Sequence, residues 1–367
     1  MGPLQGLKVV EIAGMGPAPF CAMLLADMGA DVVRVERANA PERGIPTPTR
    51  FEVLNRGRRS ISLDLKTQIG LQTLLQLVGR ADMLLEGVRP GLMERLGAGP
   101  EPCHATNPQL IYGRMTGFGQ DGPLAGAAGH DLNYIAMTGA LAAIGPADGE
   151  PVVPLNLIGD FGGGGMLLAV GLLAAYVEAQ RSGRGQVVDA AMTDGSALLM
   201  ASAFGLKAAG LWRAERGTNI LDGGAPWYGV YRTADARHVS LAAIEPRFYK
   251  ELLHRIGLDA ATLPPRESRD HWPEIRSVLS ECIARRTLEE WRELLEGTDA
   301  CFAPVLTMDE ASEHPHMASR CTFASLDGVL QPAPAPRFSR TASTLDRPPP
   351  TPGEHTDEVL RDWGVMH

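Results

Sequence analysis

The sequence predicts an α/β fold with a large domain built on a parallel sheet and a smaller α+β domain. Three observations lead to this. The chain opens with a strand, a helix and a second strand at residues 7–12, 20–28 and 31–36, and a helical crossover joins parallel strands. Further apolar strands alternate with helices to about residue 210. Beyond Leu211 the composition changes and an antiparallel hairpin pattern follows. The large domain is therefore predicted to be Rossmann-like.

The rest of the large domain continues this alternation. Apolar runs predict strands at 60–65, 81–86, 110–115 and 186–191, and helices at 70–78, from the glycine run to about 179, and at 195–209. The first loop, residues 14–19, has some features of a dinucleotide-binding turn, with Glu36 as the ribose-binding acid. It lacks the third glycine and carries two prolines where the phosphate loop should be. We therefore disfavour a nicotinamide cofactor.

The second half of the chain predicts a smaller domain and a returning segment. Strands are predicted at 228–232 and 238–242, a helix opening at Pro246, and helices at 271–284 and 288–295. The proline-rich stretches 332–336 and 348–352 exclude a core helix or a central strand. We expect a large α/β domain over residues 1–210, a small α+β domain over 211–325, and a return segment over 326–367 that completes the large domain.

Composition indicates a soluble protein with no general affinity for nucleic acid. Hydrophobic residues make up 44% and charged residues 21%, and 34 basic against 43 acidic side chains give a net charge of −9. The five cysteines are scattered without a CxxC pair, which is typical of reduced thiols and predicts no metal site. The uncharged run 161–177 contains five glycines and is interpreted as a buried helix rather than a membrane span. With no signal peptide and no peroxisomal C-terminal address, we expect a cytoplasmic protein.

Two segments place a titratable side chain beside glycine, just before an apolar helical run. One is Gly129-His130-Asp131, and the other is Gly159-Asp160-Phe161, which continues into glycines 162–165. A helix start offers unpaired N–H groups and a positive dipole end, which suit an anion formed during a reaction. Either segment alone could simply cap a core helix with a buried polar residue. The two together favour a site.

Basic residues collect near the predicted strand ends of the large domain. They are Arg37, Arg59, Lys66, Arg89 and Arg95. Ligands of open α/β sheets bind at the carboxyl ends of the strands, so in an acidic protein this set predicts a polyanionic ligand such as a phosphorylated nucleotide. The alternative is a set of solvated arginines on loops.

Motifs along nearly the whole chain match one known family. They are Val10-Glu11-Ile12-Ala13-Gly14, Gly129-His130-Asp131-Leu132-Asn133-Tyr134, Leu155-Asn156-Leu157-Ile158-Gly159-Asp160-Phe161, Gly185-Gln186-Val187-Val188-Asp189-Ala190, Leu221-Asp222-Gly223-Gly224-Ala225-Pro226, Ala243-Ile244-Glu245-Pro246-Arg247-Phe248-Tyr249 and Gly353-Glu354-His355-Thr356. On these motifs the chain resembles the α-methylacyl-CoA racemases, a branch of the class III CoA-transferase superfamily. The His-Asp-Leu-Asn-Tyr and Ile-Glu-Pro segments are the ones that resemble the racemase branch.

The resemblance implies an isomerase that interconverts (2R)- and (2S)-2-methylacyl-CoA by 1,1-proton transfer through an enolate. It implies that His130 and Asp160 are the two acid/base groups on either side of the α-carbon. Inversion needs a base on one face and an acid on the other, and imidazole and carboxyl can take either role near neutral pH. It also implies that Glu245 contacts the histidine. We hypothesise that the backbone N–H of Asp131, at a helix start, stabilises the enolate.

The resemblance also implies how substrate and partner bind. CoA is expected along Arg37, Ser62, Leu63, Asp64, Leu65, Lys66, Arg89, Arg95, Ala128, Gly129, His130, Asp131, Leu132 and Asn133, with no cofactor beyond the CoA moiety. Glycines 162–165 are expected to let the acyl chain or thioester pass close to backbone. Met115, Met137, Met166 and Met192 are candidates for the acyl pocket, with ordinary core filling as the alternative. The family forms interlocked homodimers, with each site between one subunit's large domain and the other's small domain.

Two alternatives remain open. The first is a CoA-transferase of the same fold, in which Asp160 acts as a nucleophile through an acyl-aspartyl anhydride. His130 and Glu245 argue against it, because a transferase needs no second proton-transfer group. The second is a non-catalytic CoA-binding module, which the joint presence of all three side chains disfavours.

Overall fold

The main sheet of the computed structural model, which describes residues 2–37 and 44–365, has six parallel strands. They are β1 (Lys8–Ile12), β2 (Asp31–Glu36), β3 (Arg58–Ser62), β4 (Met83–Glu86), β5 (Ile111–Thr116) and β6 (Val187–Ala191). Their order is β3-β2-β1-β4-β5-β6, which confirms the predicted Rossmann-like sheet. The winding reverses between β1 and β4, so a crevice opens at the carboxyl ends of these two strands.

Helices cover both faces of this sheet, which is why the central strands β1 and β4 are buried along most of their length. The helices in this half of the chain are α1 (Pro17–Asp27), α2 (Gln68–Val78), α3 (Leu92–Arg95), α4 (Pro100–Thr106), α5 (Asp131–Met137), α6 (Ala140–Ala143), α7 (Leu167–Ser182), α8 (Met192–Leu199) and α9 (Ala201–Ala208). One core cluster joins Leu25 of α1 and Leu172 of α7 to Val9 of β1. A second cluster joins Leu77 of α2 to Val10 on the opposite face.

The later part of the chain contains an antiparallel sheet and further helices. Its elements are β7 (Tyr228–Arg232), β8 (His238–Ala242), α10 (Pro246–Ile256), α11 (Trp272–Ile283), α12 (Leu288–Leu295), β9 (Phe302–Pro304), α13 (Met308–Glu313), α14 (Pro315–Ser319), β10 (Phe323–Leu326), β11 (Val329–Pro332) and α15 (Thr356–Asp362). The sheet order is β7-β8-β9, and both strands of the predicted hairpin are confirmed. The third strand was not predicted, because a three-residue Phe-Ala-Pro run carries no periodicity.

By internal contacts the chain forms two compact units. The first comprises Met1–Ala140, Pro154–Ala201 and His316–His367, and the second comprises Leu141–Val153 and Ser202–Pro315. The short stretch Leu141–Val153 carries no sequence feature that sets it apart from the large domain. In the returning segment, Gly353 N–H donates to Ser60 Oγ at 2.9 Å and Trp363 Nε1 donates to Asp31 at 2.8 Å. The last helix thereby lies against β3 of the first unit.

The glycine-rich stretch departs from the expected helix start. Residues Leu157–Met166 form π-helical turns that run directly into α7, so one helical segment spans Leu157–Ser182. By length and composition alone this segment could cross a membrane, but here Leu168 and Leu172 pack into the core of the first unit. Asp160 therefore lies within the first helical turns rather than before them, which corrects the prediction.

Other boundaries also differ from the prediction, among them the start of α1, at Pro17 instead of residue 20. The helix expected at 195–209 is broken at Met200 into α8 and α9. The strand expected at 60–65 starts and ends earlier, at Arg58–Ser62, so Leu63, Asp64, Leu65 and Lys66 follow the strand instead of belonging to it. The shift occurs because Arg58 and Arg59, which look like loop arginines in the sequence, are buried.

Arg58 and Arg59 can be buried because they form ion pairs with acidic side chains, and Arg56 nearby does the same. Arg58 bonds Glu11 at 3.1 Å and Arg56 bonds Asp27 at 2.6 Å. Arg59 bonds Asp31 at 2.7 Å and also reaches Glu358 and Asp362. A buried charge needs such partners, because leaving water is costly for it. The guanidinium of Arg59 is therefore occupied by structural ion pairs, and the prediction that it contributes to binding a phosphorylated ligand is wrong.

Candidate active site

A cavity of about 980 Å³ lies in the first unit at the carboxyl edge of the parallel sheet. It is lined by the turns that follow β1, β4 and β5, at residues 14–17, 87–90 and 115–118, and by the 3₁₀ turns at 51–55. This is the crevice at which the winding reverses, where ligands of such sheets bind. His130 and Asp160 both line it. The structure thus brings together the two groups that the sequence singled out.

His130 precedes the first residue of α5 and is exposed to the cavity side. Its backbone N–H donates to Asn133 Oδ1 at 3.0 Å, which fixes the turn into the helix. The hydroxyl of Tyr134 donates to the carbonyl of Gly129. A side chain at Gly129 would collide with the Tyr134 ring, its Cβ lying 2.8 Å from Cε1. The glycine beside the histidine is therefore needed for this packing.

Asp160 is half-buried in the π-helical turns. Its Oδ2 accepts a hydrogen bond from Asn156 Nδ2 at 2.9 Å, and its backbone N–H donates to Asp131 Oδ1 at 2.7 Å. Burial raises the pKa of the Asp160 carboxyl, and the nearby Asp131 charge raises it further, while the Asn156 bond and His130 lower it. A carboxyl with a raised pKa can both hold and release a proton closer to neutrality, as a general acid/base must.

The turn before α1 reaches the same carboxyl. Gly16 has a φ of 66°, and a Cβ there would lie 3.1 Å from Asp160 Oδ2. Glycine is therefore required twice, for its left-handed backbone and for its lack of a side chain. In the sequence, this loop was interpreted only as an incomplete dinucleotide-binding motif. Its glycine is a site residue that pattern reasoning missed.

The predicted CoA-binding residues fall into two groups. Arg89, Ala128, Gly129, His130 and Asn133 line the cavity. Outside its lining are Arg37, Ser62, Leu63, Asp64, Leu65, Lys66, Arg95, Asp131 and Leu132. Arg37 follows β2, and Ser62 ends β3 with Leu63–Lys66 directly after it, so these lie at the same sheet edge as the turn carrying Arg89. Since neighbouring strands are roughly 4.8 Å apart, β3 and β4 are separated by about 15 Å, which suits an extended ligand.

Asp131, Arg95 and Glu245 lie outside the cavity lining, each in a different environment. Asp131 is buried behind the cavity, where its side chain holds Asp160. Arg95 ends α3 and its guanidinium lies beside Gly91. Glu245 belongs to the second unit, where it is the N-cap residue of α10, and Pro246 takes the first helical position as predicted.

The expected acyl-pocket residues are only partly brought together. Met115 and Met192 line the cavity, whereas Met137 and Met166 are exposed and do not. Met15 also lines the cavity and was missed.

The glycine run permits close packing of the π-helical turns. A Cβ at Gly163 would lie 2.6 Å from Ser196 N, one at Gly164 would lie 2.9 Å from Pro17 Cβ, and one at Gly165 would lie 2.7 Å from Phe20 Cδ1. These glycines let the π-helical turns approach α1 and α8. Glycines 162–165 are not part of the cavity lining, and a passage of the acyl chain along them stays a prediction. Among the described residues, no group of three or more His, Cys, Asp or Glu side chains could hold a metal ion.

Comparison with known proteins gives a consistent picture. The profile of CoA-transferase family III matches residues 4–356. The chain is 46% identical to the α-methylacyl-CoA racemase of Mus musculus over 98% of its length and 93% of that protein's, and 44% identical to the Homo sapiens racemase over the same shares. A crystal structure of a CaiB/BaiF family protein from Brucella suis superposes with a TM-score of 0.84 at 27% identity, covering 99% of both chains.

Proposed function

The chain belongs to CoA-transferase family III, and within that family we propose that it is an α-methylacyl-CoA racemase. The observation that carries the proposal is one cavity lined by both His130 and Asp160 in a chain 46% identical to a protein of that name. The reaction would interconvert (2R)- and (2S)-2-methylacyl-CoA thioesters through an enolate. It is an isomerisation: the α-proton is replaced by another on the opposite face, and the composition of the thioester is unchanged.

The two side chains divide the proton transfer between them. One removes the α-proton from its face of the carbon, and the other supplies a proton to the opposite face. The raised pKa of Asp160 supports this exchange of roles, because a carboxylate of ordinary acidity would rarely be found protonated near neutral pH. We assign the enolate oxygen to the backbone N–H of Asp131, the first residue of α5. We assign Glu245 to the stabilisation of the charged histidine.

Substrate recognition follows from the cations at the sheet edge. Arg89 lines the cavity, and Arg37 and Lys66 follow the strands at its side. We infer that they bind the CoA phosphates, together with Arg95 and the turns at 62–66 and 128–133. No cofactor beyond the CoA moiety enters the proposal.

We also propose that the protein is a cytoplasmic homodimer of the interlocked kind. Support for dimerisation comes from apolar side chains exposed on neighbouring helices of the first unit. Val170 and Val177 of α7 are 63% and 56% exposed, and Leu198 and Leu199 of α8 are 61% and 56% exposed. Val170 and Val177 are seven residues apart and so lie on one face of α7, and an exposed apolar face indicates an interaction surface.

Solvent isotope incorporation tests the racemase against the transferase. One enantiomer of a 2-methylacyl-CoA is incubated with the protein in heavy water without an acceptor acid. We expect deuterium at the α-carbon and drift to a racemic mixture with total thioester conserved, because the proton removed exchanges with solvent. A transferase would leave the α-position unlabelled and act only once a free acid was added, through an anhydride at Asp160. That result would overturn the proposal.

Two variants show whether two bases act. With His130→Ala or Asp160→Ala, racemisation should fall on the order of 10²–10⁴-fold. Each variant should still exchange the α-proton of one enantiomer, the one whose proton faces the remaining base, with retention of configuration. The two variants should label opposite enantiomers. If both labelled the same enantiomer, the assignment of one base to each face would be wrong.

A further inference from the structure

The side chain of Asp131 is buried in an unusual way for a carboxylate. Only 6% of the residue is exposed, and groups of this kind are rarely so buried without a partner. Oδ1 accepts the backbone N–H of Asp160 at 2.7 Å. Oδ2 is fully buried and has no hydrogen-bond partner among the residues that the structure describes. One oxygen thus holds Asp160, and the other has no hydrogen-bond donor among the described residues.

The neighbouring residue is shaped to this contact. A Cβ at Gly159 would lie 2.5 Å from Asp131 Oδ1 and 3.0 Å from its Cγ, so only glycine lets the carboxylate reach the backbone of Asp160. Asp131 is also the residue directly after His130, at the start of α5. A single hydrogen bond therefore ties the helix start that carries one proton-transfer group to the π-helical turns that carry the other.

We propose that the side chain of Asp131 is the positioning residue of the site, anchoring Asp160 opposite His130 and placing a negative charge beside its carboxyl. This inference rests on the proposed racemase function and deepens it. It is separate from the role assigned to the Asp131 backbone, which every side-chain variant except proline retains. The anchor sets the geometry, and the charge favours the protonated form of Asp160.

Asp131 is the acidic side chain whose charge acts on Asp160. The ionisable neighbours are His130, which precedes α5, and Asp131 and Tyr134 in α5, and Asn156 before the π-helical turns contributes a neutral amide. Asp194 of α8 is not among the groups that shift the pKa of Asp160. The turn before α1, α1 itself and α8 contact the π-helical turns through Gly16, Pro17, Phe20, Met192 and Ser196, which do not titrate near neutral pH. After burial, the Asp131 charge is the main influence that raises the pKa of Asp160.

Asp131→Asn removes the negative charge and keeps the hydrogen bond to the Asp160 backbone. The amide oxygen can still accept the Asp160 N–H, so we expect KM and thermal stability close to those of the parent. Removing the negative charge lowers the pKa of Asp160, so the acidic limb of the pH profile of kcat should move to lower pH in the direction that uses Asp160 as base. A residue that served only folding would leave that limb in place. Asp121→Asn, which removes an exposed charge from the same unit, is the matched control and should not move it.

Gly159→Ala tests the anchor without removing the charge. Its methyl group pushes the carboxylate away from the Asp160 backbone, so kcat should fall on the order of 10–10²-fold, as expected for a displacement of about 1 Å, while KM stays within about twofold. Asp131→Ala should lose as much in kcat and also show the shifted limb. An unmoved acidic limb in Asp131→Asn, or a parental kcat in Gly159→Ala, would overturn the proposal. If the parent itself failed to exchange its α-proton, the racemase function would fail independently of Asp131.

Discussion

At the scale of single residues, the site depends on how closely other atoms approach the Asp160 carboxyl. Burial raises its pKa, and the hydrogen bond from Asn156 limits that rise. The turn before α1 closes the other side, with Gly16 in a left-handed conformation against Oδ2. The carboxyl is thus confined between two backbone segments, and small displacements of either segment should change catalysis more than binding.

Gly16→Ala should test this confinement. The added methyl group would lie 3.1 Å from Asp160 Oδ2 and displace the carboxyl, so kcat should fall on the order of 10²-fold while KM changes little. Gly6→Ala is the matched control, because Gly6 also has a positive φ, of 91°, but a Cβ there meets nothing within 4 Å. Both variants should lose stability, because an L side chain is strained at positive φ, and only the first should lose activity. Equal activities in the two variants would contradict the argument.

The sequence could identify His130 and Asp160 because glycine and an apolar helical run flank each of them locally. It could not identify the role of Arg56, Arg58 or Arg59, since their partners Asp27, Glu11 and Asp31 lie on other elements. A local pattern cannot show that a basic side chain is neutralised by a distant acid. For the same reason, the contact between Gly16 and Asp160 was invisible before folding brought the two segments together.

At the scale of elements, function follows from where the parallel strands end. The turns after β2, β3 and β4 bring cations to one edge of the sheet, and the turn after β4 carries Arg89 into the cavity. Alternating strands and helices predicted this edge correctly. The π-helical turns at Leu157–Met166 were not predicted; their glycines pack against α1 and α8, contacts that a local sequence pattern does not contain.

Arg89→Ala should show whether this edge binds the phosphates. No side-chain partner of Arg89 occurs within residues 2–37 and 44–365, so its loss should cost substrate binding without unfolding the protein. We expect KM for the thioester to rise roughly 10–100-fold, the value of a charge-assisted hydrogen bond, with kcat nearly retained. Arg80→Ala, at an exposed position after α2, should leave both parameters unchanged. A fall in kcat with unaltered KM would exclude a phosphate-binding role for Arg89.

At the scale of the whole molecule, a long apolar helix of the first unit remains partly exposed to solvent in the single chain. The segment Leu157–Ser182 is long and apolar, and only 39% of its most apolar window is buried. Met166, Val170 and Val177 are exposed on it, at 53%, 63% and 56%. The inward face of this helix packs into the core, so the outward face is the part that needs a partner. A second copy of the chain would bury it, as the proposed homodimer requires.

The oligomeric state tests this directly. We expect light scattering to give twice the mass of the chain, and the melting temperature to rise with protein concentration, because association stabilises the folded form by mass action. Val170→Lys places a charge on the outward face of α7, and should lower the melting temperature and shift the protein towards smaller species. Ile69→Lys is the matched control, because Ile69 on α2 is 75% exposed and α2 packs on the opposite face of the sheet from α7. A parent that stayed monomeric at all concentrations, or a Val170→Lys variant as stable as Ile69→Lys, would show that the apolar face of α7 is not a dimer interface.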